Sequence, residues 1–341
     1  MHPEPPRRAA QRRCAENAGM PSAPAMPPAP VQRSVAAKRL ARRLAQLRRV
    51  FDLDAIASQP ADAPLITRYY HQNFHPYRRY HSADGAMHMA LNPGGRFDRA
   101  GYVGQAQRLE ARWAAQPPAD VLELAFGKGF NLEYLAPRWP GVRFSGIDLT
   151  PRNVRHAQSR PALAGASLSC ADMHDLPFEA GSFDCVFCVE GFCHATDVPR
   201  ALAEQARVLR PGGLFVLFDG YRERTLEEMS AEEALAVEVV EKSMAVDAFQ
   251  HVGTLIEQAA AAGLELVSNE SLVASVMPNF RRLDRMASLF LLVPPLTRRW
   301  LAGRSAERGR NLAAAALGRW TVSMGLQGYR EMVWRKGGGG G

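Results

Sequence analysis

The stretch "VLELAFGKGFN" (residues 121–131) decides the fold of this 341-residue chain. Its apolar first half, interrupted by Glu123, has the character of a buried strand, and a helical pattern follows at 131–139. Between them lies a glycine–lysine–glycine run at 127–129. A strand that passes through a glycine-rich turn into a helix is the phosphate-binding arrangement of dinucleotide folds. The sequence therefore predicts an α/β domain with a ligand site at the end of this strand.

Strand and helix patterns alternate from residue 119 onward. We predict strands at 120–126, 143–149, 166–171, 183–190, 213–219, 264–269 and 328–336. Helical patterns lie between them at 131–139, 151–160, 197–209 and 250–262, with an acidic helix in 225–248 and a long helical stretch at 277–326. Apolar strands that alternate with helices predict a mostly parallel seven-stranded sheet with helices on both faces.

Segments on either side extend this core. The predicted organisation is a disordered basic tail rich in Pro and Ala (1–36), a basic amphipathic helix (37–60), an N-terminal helical cap (61–117), the cofactor-binding core (118–271), a helical insertion (272–326), the last strand (327–336) and a glycine tail (337–341). The tail is either a targeting extension or upstream sequence. The insertion is either a cover over an apolar substrate or an ordinary buried helix.

Positive charge is concentrated at the N-terminus. Residues 1–50 carry eleven Lys and Arg against two acidic residues, whereas the remainder is close to neutral, so the folded body is not expected to bind nucleic acid. Leu40, Leu44 and Leu47 recur at helical spacing among arginines. This helix either packs on the body or makes a peripheral contact with an anionic membrane.

The five cysteines do not suggest a disulfide framework in a chain of this length. A reducing cytoplasmic location is expected. The basic helix suggests, in addition, an association with a membrane. Cys185 and Cys188 are three residues apart in a strand, so their side chains point to opposite faces and cannot share one ion. No metal site is predicted.

Carboxylates follow the first three strands. Glu123 would repel a pyrophosphate and attract a cationic ligand that has an amino acid tail. Asp148, at the end of "FSGIDL", can accept hydrogen bonds from two ribose hydroxyls, and Asp172 in "CADMHDLP" suits an adenine amino group. A helix then ends in "VLRPGG" before another strand, "LFVLFD".

These motifs, in this order and spacing, resemble the class I S-adenosylmethionine-dependent methyltransferases over roughly 119–220. The resemblance implies a Rossmann-like fold with S-adenosyl-L-methionine as cofactor. The cofactor-binding positions that it implies are Glu123, Ala125, Gly127, Gly129, Asn131, Asp148, Leu149, Asp172 and Met173. The family usually has glycine where Ala125 stands, so we expect a slightly displaced loop there.

The fourth strand ends in "CVFCVEGFCHATD" (185–197), where this fold places the acceptor beside the methyl group. The motifs typical of nucleic-acid base methyltransferases are absent from this loop. "VEGFCHATD" is similar to the corresponding loop of sterol and isoprenoid C-methyltransferases, including those acting on prenyl diphosphates. That likeness implies Glu190 as a carboxylate facing a carbocation and His194 as the base that removes a proton.

An aromatic N-terminal segment is similar to the part of those enzymes that closes over the cofactor. The residues expected to line the substrate pocket are Tyr69, Tyr70, Tyr77, Tyr80 and His88. The predicted activity is C-methylation of an isoprenoid alkene, on a sterol-like lipid or a prenyl diphosphate. The alternative is O- or N-methylation of a small metabolite with His194 as general base, and Glu190 and His194 could instead only cap the next helix and bond backbone.

Overall fold

A seven-stranded sheet is the centre of the fold. The computed structural model describes residues 30–60, 82, 85–303 and 306–338. The strands are β1 (Asp120–Leu124), β2 (Arg143–Asp148), β3 (Ser167–Cys170), β4 (Phe183–Val189), β5 (Leu209–Arg222), β6 (Leu264–Ser271) and β7 (Gln327–Lys336). Their spatial order is β3-β2-β1-β4-β5-β7-β6, and β7 is antiparallel to both of its neighbours. The predicted α/β class and the mostly parallel sheet are confirmed.

The strand order reverses between β1 and β4, which are direct neighbours. In open α/β sheets, ligands bind outside the carboxyl ends of the strands at such a reversal point. The ends of β1, β2, β4 and β5 therefore define where a site is to be sought.

Side chains alternate between two apolar layers, one on each face of the sheet. In β4, Cys185, Phe187 and Val189 belong to one buried cluster, whereas Val186 and Cys188 belong to the other. This period-two alternation places the two cysteines on opposite faces, as the sequence predicted. Within the described chain, no group of three His, Cys, Asp or Glu side chains is placed to hold a metal ion.

Eleven α-helices occur in the described residues. They are α1 (Pro30–Arg48), α2 (Leu53–Ala57), α3 (Gly104–Trp113), α4 (Phe130–Leu135), α5 (Pro151–Gln158), α6 (Val198–Val208), α7 (Ala231–Ser243), α8 (Val252–Ala261), α9 (Val273–Leu291), α10 (Pro294–Ala302) and α11 (Ala306–Ser323). Helices α1, α2, α7, α9 and α11 share a separate buried cluster. None of the buried residues of this cluster belongs to a strand, so these helices form a core separate from the two layers that cover the sheet.

The N-terminal boundaries differ from the prediction. Residues 30–36, placed in the disordered tail, belong to α1. The helix predicted over 37–60 ends at Arg48, and the Asp52 side chain caps a separate short helix by accepting from the backbone of Ala55. Residues 85–98 of the predicted helical cap contain no helix. Several of their backbone groups bond to other parts of the chain instead, as the site described below shows.

The apolar face of α1 is not available to a membrane. Leu40, Leu44 and Leu47 are buried in the cluster formed with α7, α9 and α11. The buried Arg43 guanidinium donates to Asp284 of α9 at 2.6 Å and to the carbonyl of Ala316 at 3.2 Å. Membrane contact through this face is therefore wrong, and the alternative, packing on the body, is what the structure has.

The region 272–326 is three helices rather than one long stretch. Pro294 begins α10 directly after α9 ends at Leu291, because proline cannot supply the backbone donor that a continuing helix requires. In the described chain, no helix combines the length and apolar character needed to cross a membrane. The first half of α9 packs on the sheet, with Val276 in a cluster shared with Val216 and Val333.

Candidate cofactor and active site

A cavity opens at the carboxyl ends of β1, β2, β3 and β4. Eleven cofactor-binding or catalytic residues were predicted at or near these strand ends, and ten of them line the cavity: Glu123, Ala125, Gly127, Asn131, Asp148, Leu149, Asp172, Met173, Glu190 and His194. His88, predicted to line the substrate pocket, lines the cavity from the N-terminal segment. Gly129 does not line it. Tyr69, Tyr70, Tyr77 and Tyr80 lie outside the described residues.

Glu123 and Asn131 form the deepest polar pair of the cavity. The Asn131 amide donates to Oε1 of the buried Glu123 at 2.8 Å. Burial raises the pKa of Glu123 to about 8, although this hydrogen bond acts in the opposite direction and lowers the pKa. Within the described chain, Oε2 of Glu123 and Oδ1 of Asn131 are buried and make no hydrogen bond. Two unsatisfied acceptors fit the ammonium group of an amino acid tail, so the residues match the predicted cofactor.

Asp148 ties the glycine loop to the start of α5. Its Oδ2 accepts from the Gly127 backbone at 2.8 Å, and its Oδ1 accepts from the backbone of Thr150 at 2.8 Å and from Asn153 at 3.1 Å. Burial raises the pKa of Asp148, against these hydrogen bonds. The Thr150 side chain is a further hydrogen-bond donor to this carboxyl, so bonds within the chain occupy most of the roughly four acceptor positions of a carboxylate. The predicted contact with ribose hydroxyls stays a prediction.

Ala125 adopts a backbone conformation that glycine tolerates better. Its φ is +49°, in the left-handed region, which costs an L-residue of this kind about 1 kcal/mol. Glycine would adopt this conformation without that cost. A Cβ placed on Gly191 would lie 2.6 Å from the Cβ of Ala125, so the glycine at 191 leaves the space that the alanine methyl fills.

Gly129 packs closely against neighbouring elements. It precedes α4 with φ +79°, and a Cβ there would lie 2.7 Å from Leu163 and 3.1 Å from Ala157. A glycine is therefore needed for close contact between the loop and α5, and its predicted role at the cofactor stays a prediction. Gly127, with φ +58°, is the glycine of this loop that faces the cavity.

Asp172 and His174 form a pair at the end of the cavity beside β3. Oδ1 of Asp172 accepts from the His174 backbone at 2.9 Å and lies 2.5 Å from the ring Nδ1. Burial alone would raise the pKa of Asp172, but these two hydrogen bonds outweigh it and lower the pKa. Met173 and the exposed Leu149 line the cavity nearby. This end is accessible, as an adenine site at the carboxyl edge requires.

Glu190 joins the strand tip to the N-terminal segment. Its φ of +52° is also left-handed, and its Oε1 accepts from the Met89 backbone at 2.6 Å. The Tyr329 hydroxyl is hydrogen-bonded to the same carboxyl. Gln105 completes the connection by donating to the Met89 carbonyl at 2.8 Å and to the Tyr329 hydroxyl at 3.0 Å. Burial raises the pKa of Glu190 to about 8, so the carboxyl is largely neutral at pH 7.

His194 lies one turn beyond Glu190 in a short 3-10 helix, Phe192–His194. Its ring is hydrogen-bonded to the backbone of Ala245, and burial lowers its pKa to about 4, against that hydrogen bond. The imidazole is therefore neutral at pH 7. Neither His194 nor Glu190 caps the following helix, because Asp197 does so by accepting from the Arg200 backbone at 3.1 Å.

Asp219, three residues before the end of β5, holds the loop that carries these side chains. It accepts from the backbone of Cys193 at 3.0 Å and of Gly220 at 2.8 Å. Burial raises its pKa to about 6, with these bonds acting in the opposite direction. Asp219 is not among the predicted site residues, although it ends the predicted strand "LFVLFD" much as other acids end earlier strands.

The N-terminal segment 85–92 forms one wall of the cavity through Met87 and His88. The buried His88 ring lies 2.8 Å from the carbonyl of Tyr102, with its edge toward Phe130 at a centroid distance of 5.5 Å. The Asn92 backbone donates to the carbonyl of Ser275 in α9 at 2.7 Å. This segment thus connects the cavity to α9.

Further lining residues were not predicted: Phe126, Lys128, Phe130, Thr150, Asn153 and His174 are the principal ones. Asn153 carries a usable signal, since it stands on the first turn of the helix that follows Asp148. For the others, nothing in the local pattern distinguishes a cavity wall from ordinary packing.

Residues 122–217 match the family model described as "Methyltransferase domain". Together with the sheet order and the carboxylate-lined cavity, this match defines a class I S-adenosylmethionine-dependent methyltransferase domain within the chain. S-adenosyl-L-methionine is the methyl donor of this class, and the predicted cofactor is confirmed.

Among the curated relatives, two illustrate the similarity in sequence. The phthiotriol/phenolphthiotriol dimycocerosates methyltransferase of Mycobacterium leprae is 38% identical over 93 residues, which are 27% of this chain and 34% of that protein. The fatty-acid O-methyltransferase of Mycolicibacterium smegmatis is 35% identical over 116 residues, which are 34% of this chain and 42% of that protein. The similarity thus spans well under half of each relative's own length.

The fold is shared more widely than the sequence. The geranyl diphosphate C-methyltransferase of Streptomyces coelicolor A3(2) superposes with a TM-score of 0.59 at 17% identity, covering 82% of this chain and 99% of that one. At this identity the likeness concerns the fold alone.

Proposed function

We propose that this protein is an S-adenosylmethionine-dependent methyltransferase that methylates a hydroxyl oxygen of a lipid-like small molecule, with His194 as general base. The observation that carries the proposal is a neutral imidazole in the same cavity as the Glu123–Asn131 pair. The names of the relatives, a fatty-acid O-methyltransferase among them, support an oxygen acceptor and a lipid-like molecule.

His194 would accept the proton that the hydroxyl loses as its oxygen takes the methyl group. Only the neutral imidazole can accept a proton, and the lowered pKa keeps His194 in that form at pH 7. The same burial makes the ring a weaker base, so an acidic hydroxyl such as that of a phenol is the acceptor that suits it. The bound cofactor supplies the electrophilic methyl group.

Glu190 would position the cavity wall rather than face a cation. Its carboxyl is largely neutral at pH 7 and is engaged by the Met89 backbone and the Tyr329 hydroxyl. A neutral, hydrogen-bonded carboxyl stabilises a carbocation far less than an ionised one does. Through Met89 it would hold the segment 85–92 against the sheet and so exclude water from the methyl acceptor.

C-methylation of an isoprenoid alkene is the second candidate. It is favoured by the place of Glu190 at the tip of β4, in a cavity that also contains the rings of Phe126 and Phe130. A carboxylate together with aromatic faces is the arrangement that stabilises a carbocation. For this candidate, Glu190 has to lose its proton when substrate binds.

Labelled methyl transfer separates the two candidates. The full chain is incubated with S-adenosylmethionine and, in turn, a long-chain phenol, a fatty acid, a sterol and farnesyl diphosphate. We expect transfer to the phenol. For His194→Asn we expect phenol turnover about 100-fold lower, because a positioned base contributes roughly that much. S-adenosylhomocysteine affinity, measured by calorimetry, should stay within about threefold of wild type.

Three controls sharpen this experiment. His251→Asn, at a histidine that does not line the cavity, should leave turnover unchanged. Any transfer to the fatty acid should survive His194→Asn, because a carboxylate has no proton to lose. Glu190→Gln should retain turnover within about tenfold, since an amide replaces a neutral carboxyl. Transfer confined to farnesyl diphosphate or the sterol, with Glu190→Gln inactive, would establish the second candidate instead.

A further inference from the structure

Six large apolar side chains lie exposed where α9 meets α10. They are Leu289, Phe290, Leu292, Val293, Leu296 and Trp300, and we call this surface the α9–α10 tip. Leu292 is 74% exposed and Leu289 is 69% exposed. The described residues contain ten exposed large apolar side chains in all, so six of them fall within twelve positions. Such a concentration marks an interaction surface rather than ordinary scatter.

The tip is a fixed structure. The buried Thr297 hydroxyl donates to the carbonyl of Phe290, and the Thr297 backbone donates to the carbonyl of Val293 at 3.1 Å. Across the turn, the rings of Phe290 and Trp300 lie 5.0 Å apart. These contacts hold the exposed side chains in place, so presenting them costs little additional ordering.

The charge within the tip segment itself has one sign. Residues 285–303 contain three arginines, Arg285, Arg298 and Arg299, all exposed, and no acidic residue. Arg298 also lines a shallow surface depression that contains Arg48 together with Asp52 and Asp54. The positive charge therefore belongs to the tip segment and not to the neighbouring depression.

We propose that the α9–α10 tip docks on an anionic phospholipid membrane surface. Its leucines and Phe290 would enter the acyl boundary, Trp300 would lie at the headgroup level, and the arginines would contact lipid phosphates. The complementary charge selects an anionic bilayer over an uncharged apolar partner. The surface is distinct from the apolar face of α1, and the inference does not depend on which acceptor is methylated.

Vesicle flotation of the full chain tests this docking. Phosphatidylcholine vesicles with and without phosphatidylglycerol are compared at low and high salt. We expect the protein to float with the anionic vesicles, less so at high salt. The triple variant Leu289→Ser/Leu292→Ser/Leu296→Ser should bind at least about tenfold more weakly, because three apolar side chains no longer enter the boundary.

Matched variants control for general surface effects. Leu266→Ser/Val267→Ser removes two exposed apolar side chains from β6 and should leave flotation unchanged. Arg298→Glu/Arg299→Glu should abolish the preference for anionic vesicles, whereas Arg155→Glu on α5 should not. S-adenosylhomocysteine binding by calorimetry should be equal in all variants, which verifies the fold separately from docking.

Two results would overturn the proposal. One is flotation of the triple variant equal to that of wild type. The other is wild-type protein that stays unbound while sedimentation shows an assembly that the triple variant breaks, since the tip would then join copies of this chain. If the wild-type protein transferred no methyl group in solution, the proposed activity would be refuted and the docking result would remain.

Discussion

Carboxylates lie at or near the ends of β1, β2, β4 and β5, but those on the two sides of the strand-order reversal are bonded differently. Glu123 on β1 keeps one buried oxygen without a hydrogen bond and so remains available to a ligand. Asp219 on β5 gives both oxygens to backbone donors of Cys193 and Gly220. Acidic side chains in similar places thus differ: one keeps a free acceptor and the other holds a loop.

Asp148 and Glu190 bond to different parts of the chain. Asp148 accepts hydrogen bonds from the backbones of Gly127 and Thr150 and from the side chains of Asn153 and Thr150. Glu190 bonds the backbone of a segment far away in sequence, at Met89. Of the four acids, only Glu123 has a buried oxygen that makes no hydrogen bond within the described chain, so acids at similar positions differ in what they leave to a ligand.

The largest effect should come from Glu123→Gln. Removing the charge that faces the cofactor ammonium should weaken S-adenosylhomocysteine binding by about 100-fold, the upper range for a hydrogen bond to a charged group. Calorimetry at pH 8.5 or above, where wild-type Glu123 is ionised, measures this directly. Glu257→Gln on the exposed face of α8 serves as control, and an unchanged affinity for Glu123→Gln would contradict the assignment.

Asp219→Ala should act on stability instead. Two buried backbone donors lose their acceptor, which should lower the free energy of unfolding by about 2 kcal/mol in urea titrations. Asp219→Asn, which keeps one acceptor, should lie between wild type and alanine. If the alanine variant kept full stability and lost cofactor affinity, the two sides of the sheet would not differ as described.

Glu190→Gln should change how stability depends on pH. The pKa of Glu190 is about 8 when folded against an ordinary 4.5, so the folded state binds more protons and stability falls as pH rises through that interval. Glu123, at about 8, and Asp219, at about 6, add to this fall. His194, lowered to about 4, opposes it between pH 4 and 6.5.

The variant should therefore unfold with a shallower pH dependence. We expect it to match wild type near pH 5 and to exceed it by a margin that grows as the pH rises to 9, because the glutamine carries no charge to bury. Urea titrations at several pH values measure the slope. A slope identical to that of wild type would mean that Glu190 is ionised throughout.

The smallest effect should come from Ala125→Gly. Glycine relieves the left-handed backbone at this position, so the free energy of unfolding should rise by about 0.5 kcal/mol, net of the entropy that glycine costs. Ala136→Gly, where φ is −58°, should lower it by about 1 kcal/mol. Both changes are read from thermal unfolding, and a loss of stability in Ala125→Gly would show that its methyl contact near Gly191 dominates.

The acids of the cofactor side could be proposed from local sequence, because each lies at or near the end of a strand. Glu123, Asp148 and Asp172 belong to consecutive strand–helix units, and parallel strands bring their carboxyl ends to one edge. Ala125 was the one departure from the glycine pattern in the sequence, and in the structure it has the positive φ that glycine tolerates better.

The acceptor side could not be predicted in the same way. The Glu190 carboxyl is hydrogen-bonded to Met89 and Tyr329, which Gln105 connects, and these residues are about 101, 139 and 85 positions away along the chain. The basic helix was correctly recognised as amphipathic, but only its packing on α7, α9 and α11 shows that its apolar face is buried. The exposed apolar surface proved to be the α9–α10 tip.

By itself, the sequence determined the α/β class, the position of the cofactor loop and the acids at the strand ends, since these depend on patterns within about thirty residues. The tertiary structure decided which acids remain available to a ligand, which histidine is kept neutral and which apolar face is exposed. Hydrogen-bond satisfaction and burial depend on what distant segments bring to each side chain, and no local pattern contains that information.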